Sequence, residues 1–128
     1  MNRFYFLVLS ALLTVVVGCE EFDDDVSLGR NHQPPAGMGA IVIENDSFAD
    51  WNVVIDGVHL GRVATSFFLV HNVAPGEHLV HMDEHNGSDT KTLTVEVTDG
   101  SLTVVRIKGN STGYDVGTFT IEASNPGQ

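Results

Sequence analysis

Trp51-Asn52-Val53-Val54-Ile55-Asp56-Gly57 opens on an aromatic and β-branched run and ends in a pair that tolerates left-handed backbone. A period of two puts Trp51, Val53 and Ile55 on one side of an extended strand and Asn52, Val54 and Asp56 on the other. Asp-Gly then reverses the chain, because both residues accept positive φ at low cost. The same reading extends outward. Leu93, Val95 and Val97 oppose Thr92, Thr94 and Glu96; His78, Val80 and Met82 oppose Leu79, His81 and Asp83. No stretch beyond Gly39 sustains a helical period. Runs rich in Val, Ile, Thr and Phe predict strands near 40–44, 51–56, 66–73, 78–83, 90–97, 102–108 and 116–123. Asn86-Gly87 and Asp99-Gly100 mark hairpin reversals, and Pro75-Gly76 marks a further turn. The expected fold class is all-β, a seven-stranded antiparallel sandwich over 40–124 with a short tail at 125–128, and with Trp51 as a core anchor.

The turns and strands together carry a family resemblance. The stretch 51–57, then Leu60-Gly61, then Val73-Ala74-Pro75-Gly76-Glu77-His78-Leu79-Val80, then 91–97, resemble the bacterial PEGA-type extracytoplasmic β-sandwich, an immunoglobulin-like layout, over 40–108. The family's Pro-Glu-Gly-Ala tetrapeptide is absent, with Phe48-Ala49-Asp50-Trp51 in its place. Arg62-Val63-Ala64-Thr65 stands where the family has Thr-Pro. A related surface-domain family of unknown function shares the Asp-Gly and Pro-Gly layout. Neither carries a catalytic set, so the resemblance implies a protein that is not an enzyme and needs no cofactor.

The N-terminal part reads differently. Arg3 precedes an apolar run at 4–18, fifteen residues that include Ser10 and Thr14. A bilayer span needs about 20 residues, whereas this length suits the apolar region of a signal peptide. Val16-Val17-Gly18-Cys19 resembles the bacterial lipobox, with Val16 where the family most often has Leu. The resemblance implies cleavage after Gly18 and acylation of Cys19, so that 1–18 is a lipoprotein signal peptide and Cys19 is the lipid attachment site. Two or three chains on one residue make a lasting anchor, where one binds only marginally. From 20 to 39 the composition is acidic, then bears Pro and Gly, and is expected to form a flexible linker behind the lipidated Cys19. An EF-hand loop opening at Asp23 would need a carboxylate where Pro34 stands, so the acidic run reads as a solvated spacer. The expected location is the bacterial cell envelope. Glu20, rather than Asp, after the cysteine points to the outer membrane if the host has one.

Seventeen acidic residues against six basic ones give a formal net charge of −11, and every acidic residue follows Cys19. Such a surface repels nucleic acid and anionic headgroups and favours cations, basic partners or solubility. With its single cysteine acylated, the chain has no thiol left for a disulfide.

Two chemical motifs stand out. Gly109-Asn110-Ser111-Thr112-Gly113 matches the G-x-S-x-G pattern, but the strand-like segments on both sides contradict the strand-turn-helix context that a nucleophile elbow requires. His81, Asp83 and His85 share strand parity, with Met82 and Glu84 beside them. Over four residues at about 3.3 Å each, the outer pair lies about 13 Å apart, too far to grip one ion from an undistorted strand. A third ligand from another strand, His59 or His71, would be needed for zinc. The resulting expectation is a monomeric, lipid-anchored, non-enzymatic interaction or structural module whose partner is an envelope protein or glycan. The alternative is a zinc- or copper-binding lipoprotein that uses His81, Asp83 and His85.

Overall fold

The computed structural model describes residues 26–123. The leader at 1–18, Cys19, the acidic run to Asp25 and the tail at 125–128 lie outside the described residues. A 3-10 helix at Val26–Asn31 precedes eight strands: β1 (Gly39–Asp46), β2 (Trp51–Ile55), β3 (Val58–Val63), β4 (Phe68–Val73), β5 (Gly76–Glu84), β6 (Thr90–Val97), β7 (Ser101–Asn110) and β8 (Gly113–Glu122). They form two four-stranded sheets, ordered β4-β1-β7-β8 and β3-β2-β5-β6. The expected all-β sandwich is therefore the fold, with eight strands in place of seven. One pairing departs from the antiparallel pattern, since β1 and β7 run parallel, from Ala40 beside Leu102 to Asp46 beside Lys108.

The additional strand is β3, and its sequence hides it for a physical reason. It is an edge strand, largely exposed, so it carries no apolar alternation. The register against β2 also slips: Val53 pairs with Gly61 while Val54 pairs with His59. The bulge inserts Leu60, which packs against the core and breaks the period of two. The turn that creates β3 was legible. Ile55 pairs with Val58 across Asp56-Gly57, whose φ angles are 52° and 81°, as a two-residue primed turn requires.

The alternation sorts the core as expected. Trp51, Val53, Ile55, Val80, Met82, Val95 and Val97 face Ile41, Ile43, Val105 and Ile107 across the two sheets. Trp51 is fully buried, its Nε1 donates to Ser47 Oγ at 3.0 Å, and Tyr114 meets its ring edge-on at 5.0 Å. Burying an indole leaves its N–H in need of a partner, and the Ser47 hydroxyl supplies one.

β1 is buried on both faces. Its second face, with Ala40 and Val42, joins Val70, Leu102 and Val104 in a smaller apolar cluster on the outer side of the β4-β1-β7-β8 sheet. Residues 26–38, read from composition as linker, pack here instead. A Cβ on Gly29 would come within 2.8 Å of both Val42 and Phe68, so the chain lies against the sheet at that point. Met38 N–H bonds Pro35 O at 3.0 Å, and Met38 O accepts from Gly100 N at 2.9 Å. Composition could not show this, because a few long-range contacts, those of Gly29, Arg30, His32 and Met38, hold the segment.

Candidate functional site

Glu44 of β1 lies under this strap with no exposed surface. Arg30 grips it with two bonds, Nε to Oε2 at 2.7 Å and Nη2 to Oε1 at 2.9 Å. Arg106 of β7 adds Nη1 to Oε1 at 3.1 Å and reaches Asp46 Oδ2 with Nη2 at 3.0 Å. A buried carboxylate needs such partners, since an unpaired one would cost several kcal/mol, in the range of roughly 3–5. The Arg30 guanidinium also lies 4.9 Å above the Phe119 ring of β8, and His32 Nε2 meets Asn72 Oδ1 of β4 at 2.6 Å. The strap is thereby tied to three of the four strands beneath it.

The outer face of the β3-β2-β5-β6 sheet is different. Val54 pairs with both His59 and His81, and Asn52 pairs with both Arg62 and Asp83. These residues, with Thr92 and Thr94 of β6, form a half-exposed polar surface. A recess of about 260 Å³ opens on it, lined by Asn52, Val54, His59, Gly61 and Asp83. Leu79, half exposed, borders the face.

The three residues singled out from strand parity separate here. His81 and Asp83 are together: His81 Nε2 lies 3.0 Å from Asp83 Oδ1, and its Nδ1 lies 2.7 Å from Thr92 Oγ1. His85 lies beyond the end of β5, where its N–H bonds Asp50 O at 2.8 Å and the chain turns at Asn86 with φ 63°. Among the described residues no group of three His, Cys, Asp or Glu side chains converges as a metal would require. Ser111 occupies the exposed β7-β8 hairpin turn between antiparallel strands, where Asn110 Oδ1 accepts from Thr112 N at 2.8 Å. Strand-turn-strand geometry is not the elbow that would activate it.

One titratable cluster escaped the sequence reading. His78 Nδ1 lies 2.5 Å from Asp56 Oδ2, and its Nε2 lies 2.6 Å from Ala74 O. Both neighbours are acceptors, so the ring makes both bonds only as an imidazolium. Burial works to lower the His78 pKa, but the bonds to Asp56 and the Ala74 carbonyl outweigh it, and the net direction is upward. Asp56 is held below the usual carboxylate range by the His78 bond and by Leu79 N–H, which donates to Oδ1 at 2.8 Å. His71 is pushed down, chiefly by burial, against the pull of Asp56 and with the help of His78. The cluster ties the Asp56-Gly57 turn to the β4-β5 turn. The only trace of it in the sequence was the placing of His78 beside Pro75-Gly76.

No protein-family model matches this chain, and no curated protein matches it. Among solved structures, the C-terminal domain of AlgF from P. aeruginosa is similar at a TM-score of 0.51 and 9% identity, over 66% of this chain and 99% of that one. The N-terminal domain of AlgF follows at 0.49 and 15%, over 72% and 100%. A candidate cell adhesion protein from Bacteroides uniformis gives 0.49 and 11%, over 69% of this chain and 51% of its own. At such low identity the first of these similarities supports the β-sandwich fold and nothing finer.

Proposed function

We propose that this protein is a non-enzymatic interaction module of the bacterial envelope, anchored by lipid on Cys19 and binding an envelope protein or glycan through the outer face of its β3-β2-β5-β6 sheet. The observation that carries the reading is the contrast between the two outer faces. One is sealed by the strap over a small apolar cluster, while the other is an open polar surface with a recess between His59 and Asp83. A sheet face with no internal use is available for recognition. The lipobox-like Val16-Val17-Gly18-Cys19 and the PEGA-like turns support the same location.

Two experiments test it. Cys19→Ser is expected to abolish metabolic lipid labelling, and unchanged labelling would remove the anchor. A photo-crosslinking residue at Thr92 is expected to trap a defined envelope partner in intact cells. The same residue at Lys108, on the other sheet, is expected not to trap it. The opposite pattern would place recognition on the strap side.

A further inference from the structure

The strap changes the geometry of any tether that precedes it. Gly39 stands twenty residues after Cys19, a reach of about 70 Å when fully extended. Because Gly29 is pressed on Val42 and Phe68, and Arg30 is locked to Glu44, only ten steps of chain lead from Cys19 to the pin at Gly29, the last three of them in the 3-10 helix, a reach of about 30 Å. The pin lies on the outer face of the β4-β1-β7-β8 sheet, tied to β1 by Glu44, to β4 by Asn72 and to β8 by Phe119.

We propose that the Arg30–Glu44 latch orients the domain on the bilayer, holding the β4-β1-β7-β8 sheet towards the lipid and turning the β3-β2-β5-β6 face outward. The inference rests on the lipid-anchor reading above. To bring the outward face down onto the membrane, the tether must pass around an edge of the sandwich. That path crosses about two strands at 4.8 Å each, the 10 Å between sheets and a side-chain layer on either side, roughly 30 Å in all. The stretch before the pin spans it only at its full reach, at a large loss of chain entropy. Twenty residues would span it with slack, so the latch makes the orientation.

The test uses the full-length lipidated protein in phosphatidylcholine vesicles that carry a nitroxide on a small fraction of headgroups. A fluorophore is placed on Thr94→Cys, exposed on the outward sheet, or on Lys108→Cys, exposed on the strap side, the Cys19 sulfur being occupied by its lipid. Quenching at Lys108 is expected to exceed quenching at Thr94 by about twofold or more, given the separation of the two faces. Arg30→Gln, which leaves the Arg106–Glu44 pair in place, is expected to bring the two sites close to equality, and Glu44→Gln to do the same. Equal or reversed quenching in the wild type overturns the orientation and leaves the anchor intact. Failure of the wild type to float with vesicles, and of Cys19→Ser to differ from it, sinks the anchor reading and the orientation with it.

Discussion

Asp56 and His78 show how much of the chemistry is decided by single contacts. The His78 pKa is raised above 6.5 in the fold, so its contribution to stability is fully present below 6.5 and is lost as the pH rises through the folded value. Asp56 is lowered from 3.8, so its contribution is present above 3.8 and is lost as the pH falls through its folded value. The pair therefore stabilises most between 3.8 and 6.5. His71 has the opposite slope to His78, because burial favours its neutral ring and its contribution fades as the pH falls below 6.5. Asp56 is ionised throughout the range above about pH 6, so the difference between wild type and His78→Gln there reports His78 together with its smaller coulombic effect on His71. It is expected to shrink between about pH 6 and about pH 9 in urea unfolding, and a constant difference would argue against an imidazolium at this position. Trp51 is a simpler case. Its ring is fully buried, so Trp51→Ala is expected to cost roughly 3–5 kcal/mol by the same measurement. That residue was legible because burial of a large side chain follows from strand parity. The His78 contacts were not, since Asp56 and Ala74 reach it only after two turns have been brought together.

At the scale of elements, the strap moves the start of the folded unit. Alternation begins at Ala40, and a fragment opening at Gly39 would contain every strand. Such a fragment lacks Arg30 and leaves Glu44 with Arg106 as its remaining arginine partner. It also uncovers Val42 and Phe68 where Gly29 had lain. It is expected to be destabilised by about 3 kcal/mol or more and to associate, whereas a fragment opening at Val26 remains monomeric. Sedimentation and thermal unfolding of the two fragments check this. Phe48 makes the opposite case. It lies in the β1-β2 loop with 80% of its surface exposed, so Phe48→Ser is expected to alter stability by no more than about 0.5 kcal/mol. The first segment was misread because its hold on the sheet is a few long-range contacts rather than a periodic face.

For the whole molecule, charge and address come first. A net charge of −11 draws divalent cations diffusely, so weak zinc binding at low salt is expected that physiological salt screens and that His81→Ala leaves unchanged. Calorimetry showing submicromolar one-to-one binding lost in His81→Ala would instead establish a site, with ligands beyond Asp83. What the sequence by itself determined is the all-β class, the inward faces of β2, β5 and β6, and the hairpin turns at Asp56-Gly57 and Asn86-Gly87; Asp99-Gly100, expected as a hairpin, instead carries the chain from β6 in one sheet to β7 in the other. Each follows from a local rule, the period of a strand or the φ freedom of a turn residue. Only the tertiary structure decided that β1 lies parallel to β7 at the centre of its sheet, that a bulge at Leu60 breaks the period of the eighth strand, β3, and that Arg30 crosses to Glu44. These depend on which segments meet across long stretches of chain, and side-chain alternation is the same whichever neighbour a strand takes.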